Sequence, residues 1–427
     1  MSPVQSKTSK IAIIGCGEFG LSTAYYLLLA GYKSVTLFDR STPPVPDGSS
    51  VDISRIVRAD YDDVVYARMV VEALEGWHGE YSEYYSECGL LCMTPDGNPK
   101  YLADALATVS ALGLPVMQFA SGEDAAKNLH LHNGALQGLS GYLSREAGWA
   151  YASKAVGYLF NKCLELGAVF VPKAVSEIVY STDGPTTVTG LKLEDRTVFP
   201  ADLVIAATGA WTDSLVPLSS RTLATGQPVA FVQLTDAEYE ATKHLPVYIN
   251  FVSGFYAFPP HPESKIVKAA RHSYGYTNYL PAISEQGRMS SQPPSVCYSQ
   301  GEVPEARTHL PKDADDCIRK GLEEYLGANI ASRHFSKARI CWYNDTPSHD
   351  FLFDYMPGVS NLFIATGGSG HAFKFLPVLG KYVVGCLEKT LDECLLAKFG
   401  WRDEVIKTED ESRGGTPIMS LQDAELA

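Results

Sequence analysis

The chain has 427 residues, 45% of them hydrophobic and 20% charged, and a formal net charge of −14. That length exceeds one small core and suits two interlocked domains, with the composition of an ordinary globular protein. The negative balance leaves no electrostatic footprint for nucleic acid and disfavours anionic membrane surfaces, so neither is expected as a partner.

In chain order, residues 1–10 are polar and run straight into a strand, with no secretory signal visible. Nowhere does an apolar run reach the ~18 residues that a spanning helix needs. Ile11 to Ile14 is a short, wholly apolar run, as a buried parallel strand requires. Gly15-Cys16-Gly17-Glu18-Phe19-Gly20 follows, then a helical stretch from Leu21 to Ala30 closed by Gly31 at C′. Val35 to Phe38 is the next buried strand and ends at Asp39, completing a βαβ unit. Apolar residues at Ala155, Val156, Leu159, Phe160, Cys163 and Leu166 have helical spacing, with Ser153 as the expected N-cap, and lead to strand Val169 to Val171. Ala201 to Trp211 reads as a buried strand ending in a glycine turn at Thr208-Gly209, and Leu362 to Ala365 as another before Gly367.

The nucleotide-binding signals thus fall in 1–60, 150–215 and 335–402, and the intervening 60–150 and 215–335 are expected to form a second, mostly antiparallel domain. Residues 403–427 are charged and aperiodic, and a mobile tail is expected there. The nine cysteines are scattered, which suggests reduced thiols inside a cell; no metal site is expected, His130-Leu131-His132 reading as a surface pair. The ending Ala424-Glu425-Leu426-Ala427 is not a Ser-Lys-Leu peroxisomal address, so the cytosol is expected, with the peroxisome as the alternative.

Within the first unit, Gly15 permits a tight turn, Gly17 lets the backbone approach a pyrophosphate, and Gly20 allows close helix–strand packing. The helix N-terminus offers N–H groups and a positive dipole end to phosphates. Asp39, 19 residues after Gly20, stands where an acid accepts hydrogen bonds from ribose hydroxyls. The fingerprint does not separate FAD from NAD, although the Ala207-Thr208-Gly209 strand end leans towards FAD.

Two later stretches are more specific: Arg339-Ile340-Cys341-Trp342 and Gly367-Gly368-Ser369-Gly370-His371-Ala372-Phe373-Lys374. Taken alone, Cys341 reads as a buried structural thiol, Lys374 as a solvated helix residue, and Arg55 and Arg58 as a basic strand edge paired with Asp60 and Asp62. Lys268, beside Lys265 and Arg271, reads equally as a solvated basic strand, and His272 as a packing residue. With the fingerprint, however, these stretches resemble the sarcosine-oxidase-like flavoproteins, which include amadoriases (fructosyl amino acid oxidases) and saccharopine or pipecolate oxidases. The resemblance runs from Ile11 to about Arg402.

This resemblance implies an α/β fold, a Rossmann-like FAD domain interlocked with an antiparallel-sheet substrate domain. It implies FAD bonded through its 8α carbon to the sulfur of Cys341, where a cation such as Arg339 would hold the thiolate. Cofactor contacts carried over are Gly15, Gly17, Glu18, Phe19, Gly20, Asp39, Arg40, Ser49, Ser50, Ser54, Arg55, Val175, Thr208, Gly209, Trp211, Gly368, Ser369, Gly370, His371 and Lys374. A helix from about Phe373, with Lys374 in its first turn, would point its N-terminus at the flavin. Arg58 and Lys374 match the pair that binds the substrate carboxylate, and Arg402 in Trp401-Arg402 matches the start of a longer element that is truncated here. Arg55, Tyr256, Lys268 and His272 match catalytic positions, Lys268 as the cation that meets O₂.

The implied reaction is oxidation of a secondary-amine amino acid (an N-methyl amino acid, pipecolate, saccharopine or a fructosyl amino acid) to an imine, with O₂ reduced to hydrogen peroxide by a monomer. An arginine at 55, where amadoriases usually carry lysine, sets the sugar-amine substrate in question. Ring closure of the imine, a nicotinamide dehydrogenase and a non-catalytic flavin protein are the rival readings. Which amine is taken depends on loops such as 278–304.

Overall fold

The computed structural model describes residues 6–95, 100–132, 134–184, 186–218, 221–281, 289–291, 293, 310–404, 407–415 and 417–424. Most of the 278–304 stretch lies outside the described residues.

Among the described residues, six strands from three distant parts of the chain form one sheet, in the order Leu352–Tyr355, Leu362–Thr366, Leu203–Ala206, Lys10–Ile14, Ser34–Asp39, Val169–Pro172. All neighbours are parallel except the edge strand Leu352–Tyr355. The apolar runs are continuous because both faces are covered. Ile11, Ile13, Leu203, Ile205 and Phe363 pack towards helix Glu18–Leu29. Ala12, Ile14, Val204, Ala206 and Ile364 pack on the opposite face, against the small antiparallel sheet of Val175–Tyr180, Val188–Leu193 and Val198–Pro200.

A second, larger and mostly antiparallel sheet includes Leu90–Pro95, Leu139–Ser144, Leu223–Gln233, Val247–Asn250, Phe255–Ala257, Ile266–Arg271 and Lys337–Asp345. Fold class is therefore mixed α/β with two interlocked layers. Lys337–Asp345 differs from its expected place: it pairs antiparallel with Leu223–Gln233 from Asp345↔Leu223 to Lys337↔Phe231, so the strand carrying Cys341 belongs to the large sheet.

Three local expectations are corrected. Helix Ala152–Glu165 starts after Tyr151, and Ser153 is no N-cap, because its Oγ donates to Asp52 O at 2.8 Å. The glycine turn leads only to a single 3-10 turn, Phe373–Phe375, and the helix proper is Leu379–Glu388. The 403–427 segment is not a detached tail over its described residues. Arg413 is 7% exposed and pairs with Asp345, and Met419–Ser420 adds a parallel strand to Tyr276–Thr277. Among the described residues no helix is long and apolar enough to cross a membrane.

Candidate active site

A cavity of about 880 Å³ lies between the two sheets and is lined by all three nucleotide-type segments and by both intervening ones. One end is the Gly15–Gly20 turn. Gly15 has φ +97, and a Cβ there would lie 2.3 Å from Ala207 O; a Cβ on Gly20 would lie 1.8 Å from Gly15 O. Gly20 thus packs helix on strand and does not itself border the cavity. Asp39 accepts from Cys16 N–H and Arg40 N–H, both at 2.7 Å, and burial pushes its carboxyl up. Ser50 Oγ accepts from Glu18 N–H at 3.0 Å and donates to the Glu18 carboxylate at 2.9 Å, a cap supplied from another segment. Arg40 is held by Asp47 and lies 4.6 Å over the Trp211 ring. Gly17, Phe19, Ser49, Val175, Thr208 and Gly209 also line this part. The result is a long cleft with backbone N–H groups, an acid and a strand-end turn, a donor set and a cradle without Cβ atoms that fit a dinucleotide.

Midway, one face of the large sheet presents a row of side chains. Arg339, Cys341, Tyr343 and Asp345 alternate onto the same side of their strand. Cys341 is buried, and the cation at its sulfur is Arg55, whose Nη2 lies 3.4 Å from Sγ. Arg339, expected in that role, is turned to Asp52 at 3.1 Å. Lys268 is 1% exposed; its Nζ donates to Ser54 O at 2.6 Å and lies 2.8 Å from Asp52. Burial and the neighbouring Arg55 bring the Lys268 ammonium down to about 7. Tyr256 borders the cavity beside Cys341 and Arg55, and burial raises its hydroxyl to about 12. His272 is half-buried against the cavity, with Nδ1 3.5 Å from Tyr343 OH and Nε2 3.4 Å from Ser412 Oγ. Burial and Arg413 lower its pKa to about 3, so the ring is neutral.

Elsewhere on the cavity wall Arg58 and Lys374, both buried, converge on Tyr61. The Arg58 guanidinium lies 5.1 Å over the Tyr61 ring and donates to Tyr101 OH at 3.1 Å. Lys374 Nζ donates to Tyr61 OH and to His371 O, each at 2.7 Å. Burial and Arg58 push the lysine well below its ordinary value. Neither cation forms an ion pair among the described residues; Asp60 is buried behind Arg58 with its carboxyl raised by burial, and Asp62 is exposed at the rim. His371 accepts from Tyr61 OH at 2.9 Å and donates from Nε2 to His349 O at 3.0 Å, which makes it neutral and fixes its tautomer. Gly368, Ser369 and Gly370 wall this part; Ser369 N–H donates to Asn344 O at 3.0 Å, tying the turn to the Cys341 strand.

Besides Gly20, two further expected residues are elsewhere. Ser54 does not border the cavity and contributes its carbonyl to Lys268. Arg402 is drawn off by Asp350 at 2.8 Å and Lys398 O at 2.9 Å, behind the wall. Sequence reasoning missed Asp52, Tyr61, Tyr101, Tyr343 and the 409–412 segment. Asp52 and Tyr61 lie within or just beyond the 49–58 stretch, but only their three-dimensional partners mark them out.

The family model described as FAD dependent oxidoreductase (DAO) matches residues 10–385. The chain is 31% identical to the L-saccharopine oxidase of Schizosaccharomyces pombe, over 97% of this chain and 98% of that protein. It is 30% identical to the amino acid oxidase fsqB of Aspergillus fumigatus, over 86% and 90%. The crystal structure of a fructosyl amine oxygen oxidoreductase, Amadoriase I of Aspergillus fumigatus, superposes with a TM-score of 0.84 at 27% identity, covering 100% of this chain and 98% of that one.

Proposed function

The chain belongs to the DAO family of FAD-dependent oxidoreductases, and from that premise we propose that it oxidises the C–N bond of a secondary-amine amino acid to an imine, with O₂ reduced to hydrogen peroxide. The observation that carries the substrate class is the convergence of Arg58 and Lys374 on Tyr61, two buried basic side chains whose hydrogen-bond partners among the described residues are neutral. Uncompensated buried charge is costly, and a substrate carboxylate would relieve it. Saccharopine, amino acids and fructosyl amines are the substrates named for the relatives, and the first two carry the carboxylate that Arg58 and Lys374 would take.

FAD, when bound, supplies the hydride acceptor and the passage of electrons to O₂. The chain's own residues do the rest. Gly15, Gly17, Asp39 and the helix N-terminus would hold the dinucleotide, and Cys341 Sγ, with Arg55 beside it, would form the 8α-S-cysteinyl bond. The His371–Tyr61 relay aims Lys374 Nζ. The basic groups Arg55, Arg58, Lys268 and Lys374, with neutral His272, disfavour a protonated amine in the part of the cavity they line. The amine nitrogen therefore enters with its lone pair free, and no side chain is required as base. Lys268, which lines the cavity, would be the fixed cation that stabilises negative charge developing on O₂.

The test is an anaerobic screen of N-alkyl amino acids for loss of the flavin absorption band, each paired with its decarboxylated analogue. Bleaching by acids and weak bleaching by the analogues is expected. Equal bleaching by both would remove the carboxylate grip, and no bleaching by any amine would leave a flavin protein without this activity.

A further inference from the structure

Asp52 is buried, with a side-chain exposure of 1%, and does not border the cavity. One of its oxygens, Oδ2, meets three cations: Lys268 Nζ at 2.8 Å, Arg339 Nη2 at 3.1 Å, and Arg55 Nη1. Its other oxygen accepts from Ile53 N–H at 2.8 Å, and its carbonyl accepts from Ser153 N–H at 3.0 Å and Ser153 Oγ at 2.8 Å. The carboxylate is thus fixed from both ends of its residue. Two of the three cations it touches, Lys268 and Arg55, border the cavity.

We propose that Asp52 is a positioning residue whose carboxylate keeps Lys268 charged and aimed at the cavity. Around the ammonium stand Arg55 and Arg339 as repelling cations, Asp52 as the carboxylate, Ser54 O as a neutral acceptor and the Phe258 ring at 4.8 Å. Lys337, Tyr256 and Cys341 are the further titratable groups of this cluster. Without the carboxylate, a fully buried amine would face two guanidiniums and release its proton. Burial already lowers the lysine, while Asp52 opposes that fall.

The proposal rests on the oxidase reading for its consequence but is read out separately. In flavin-loaded enzyme labelled with ¹³C-lysine, the Lys268 signal is assigned by its loss in Lys268→Met and followed against pH by NMR. Asp52→Asn should move its midpoint down by about one to three pH units, the usual effect of an opposite charge at contact distance. Arg339→Gln, which removes a repelling cation from the same oxygen, should move it up, and Asp52→Glu should leave it near the parent value. A merely structural role would move both neutralising variants the same way. An unmoved or raised midpoint in Asp52→Asn overturns the proposal; if that variant does not fold, a lowered or unchanged midpoint in Arg339→Gln overturns it. The pH profile of flavin reoxidation should follow the NMR midpoint in each variant. Normal reoxidation in Lys268→Met would end the oxygen role of the lysine while leaving the titration result intact.

Discussion

At the scale of single residues, the charge states around the cavity set what the protein does with pH. Lys268 is charged below about 7 and neutral above, so an oxygen step that depends on its charge should slow as pH rises through that value. Lys268→Met should slow flavin reoxidation by about 10²–10³-fold in stopped-flow experiments, the effect of losing one fixed stabilising group. Bleaching by substrate should change little; the reverse pattern would make Lys268 a substrate contact. The histidines act on stability in the opposite direction. His272 and His371 have native pKa values below the 6.5 of an unfolded histidine, His272 at about 3. Between those values the unfolded chain binds protons that the native state does not, so stability falls as pH drops below 6.5. The loss is at most about 1.4 kcal/mol per pH unit for each histidine, and urea titrations at pH 7 and 5 measure it. His272→Asn should flatten that slope. Sequence alone could place Arg339 on the face of Cys341, because alternation along a strand requires it. It could not show that Asp52 holds Arg339 away and leaves Arg55 at the sulfur, since partners 286 residues apart leave no periodic trace.

Among the elements, the glycine turn at 367–370 has no room for a side chain at its last glycine. Gly370 has φ +75, and a Cβ there would lie 2.3 Å from the Tyr343 ring, whereas Gly31 has φ +88 with open space around it. Ala at Gly31 therefore meets only the left-handed backbone penalty of about 1–2 kcal/mol. Gly370→Ala must also displace Tyr343 and should cost more in a denaturant titration, with loss of acid-stable flavin, which Gly31→Ala should retain. Equal costs would show that the turn yields without moving its neighbour. Apolar runs such as Ile11 to Ile14 were legible because both faces of a parallel strand are buried. Helix starts were less so: Ser153 has the chemistry of an N-cap, yet its hydroxyl serves Asp52, and the fold supplies Ser50 to cap helix Glu18–Leu29 from 32 residues away. A short-range rule cannot register a cap lent by another segment.

The whole molecule brings residues 407–415 back over the cavity, and the reason this was illegible is that its anchors are single polar contacts rather than a repeating apolar face. Arg413 donates to Asp345 at 2.6 Å, to Asp410 at 2.7 Å and to Ser369 O at 3.2 Å, so one side chain ties the segment to the Cys341 strand and to the glycine turn. That return places exposed Glu409 and Glu411 at the cavity wall with exposed Asp62, on a chain of net charge −14. A substrate that enters past this acidic rim meets its field before it reaches Arg58 and Lys374. An amine acid carrying an additional carboxylate is repelled there, one carrying an additional ammonium is attracted, and the inner grip on the shared carboxylate is common to both. The Debye length shrinks from about 30 Å at 0.01 M salt to about 8 Å at 0.15 M, so added salt weakens the rim's field while leaving the buried pair less affected. Over that range kcat/KM, followed by oxygen uptake, should rise several-fold for the more anionic substrate relative to a zwitterionic one, and fall for the more cationic one. Replacing Asp62, Glu409 and Glu411 together by their amides should abolish the difference if the rim causes it. A salt dependence that survives the triple substitution would assign the effect to the net charge of the molecule instead.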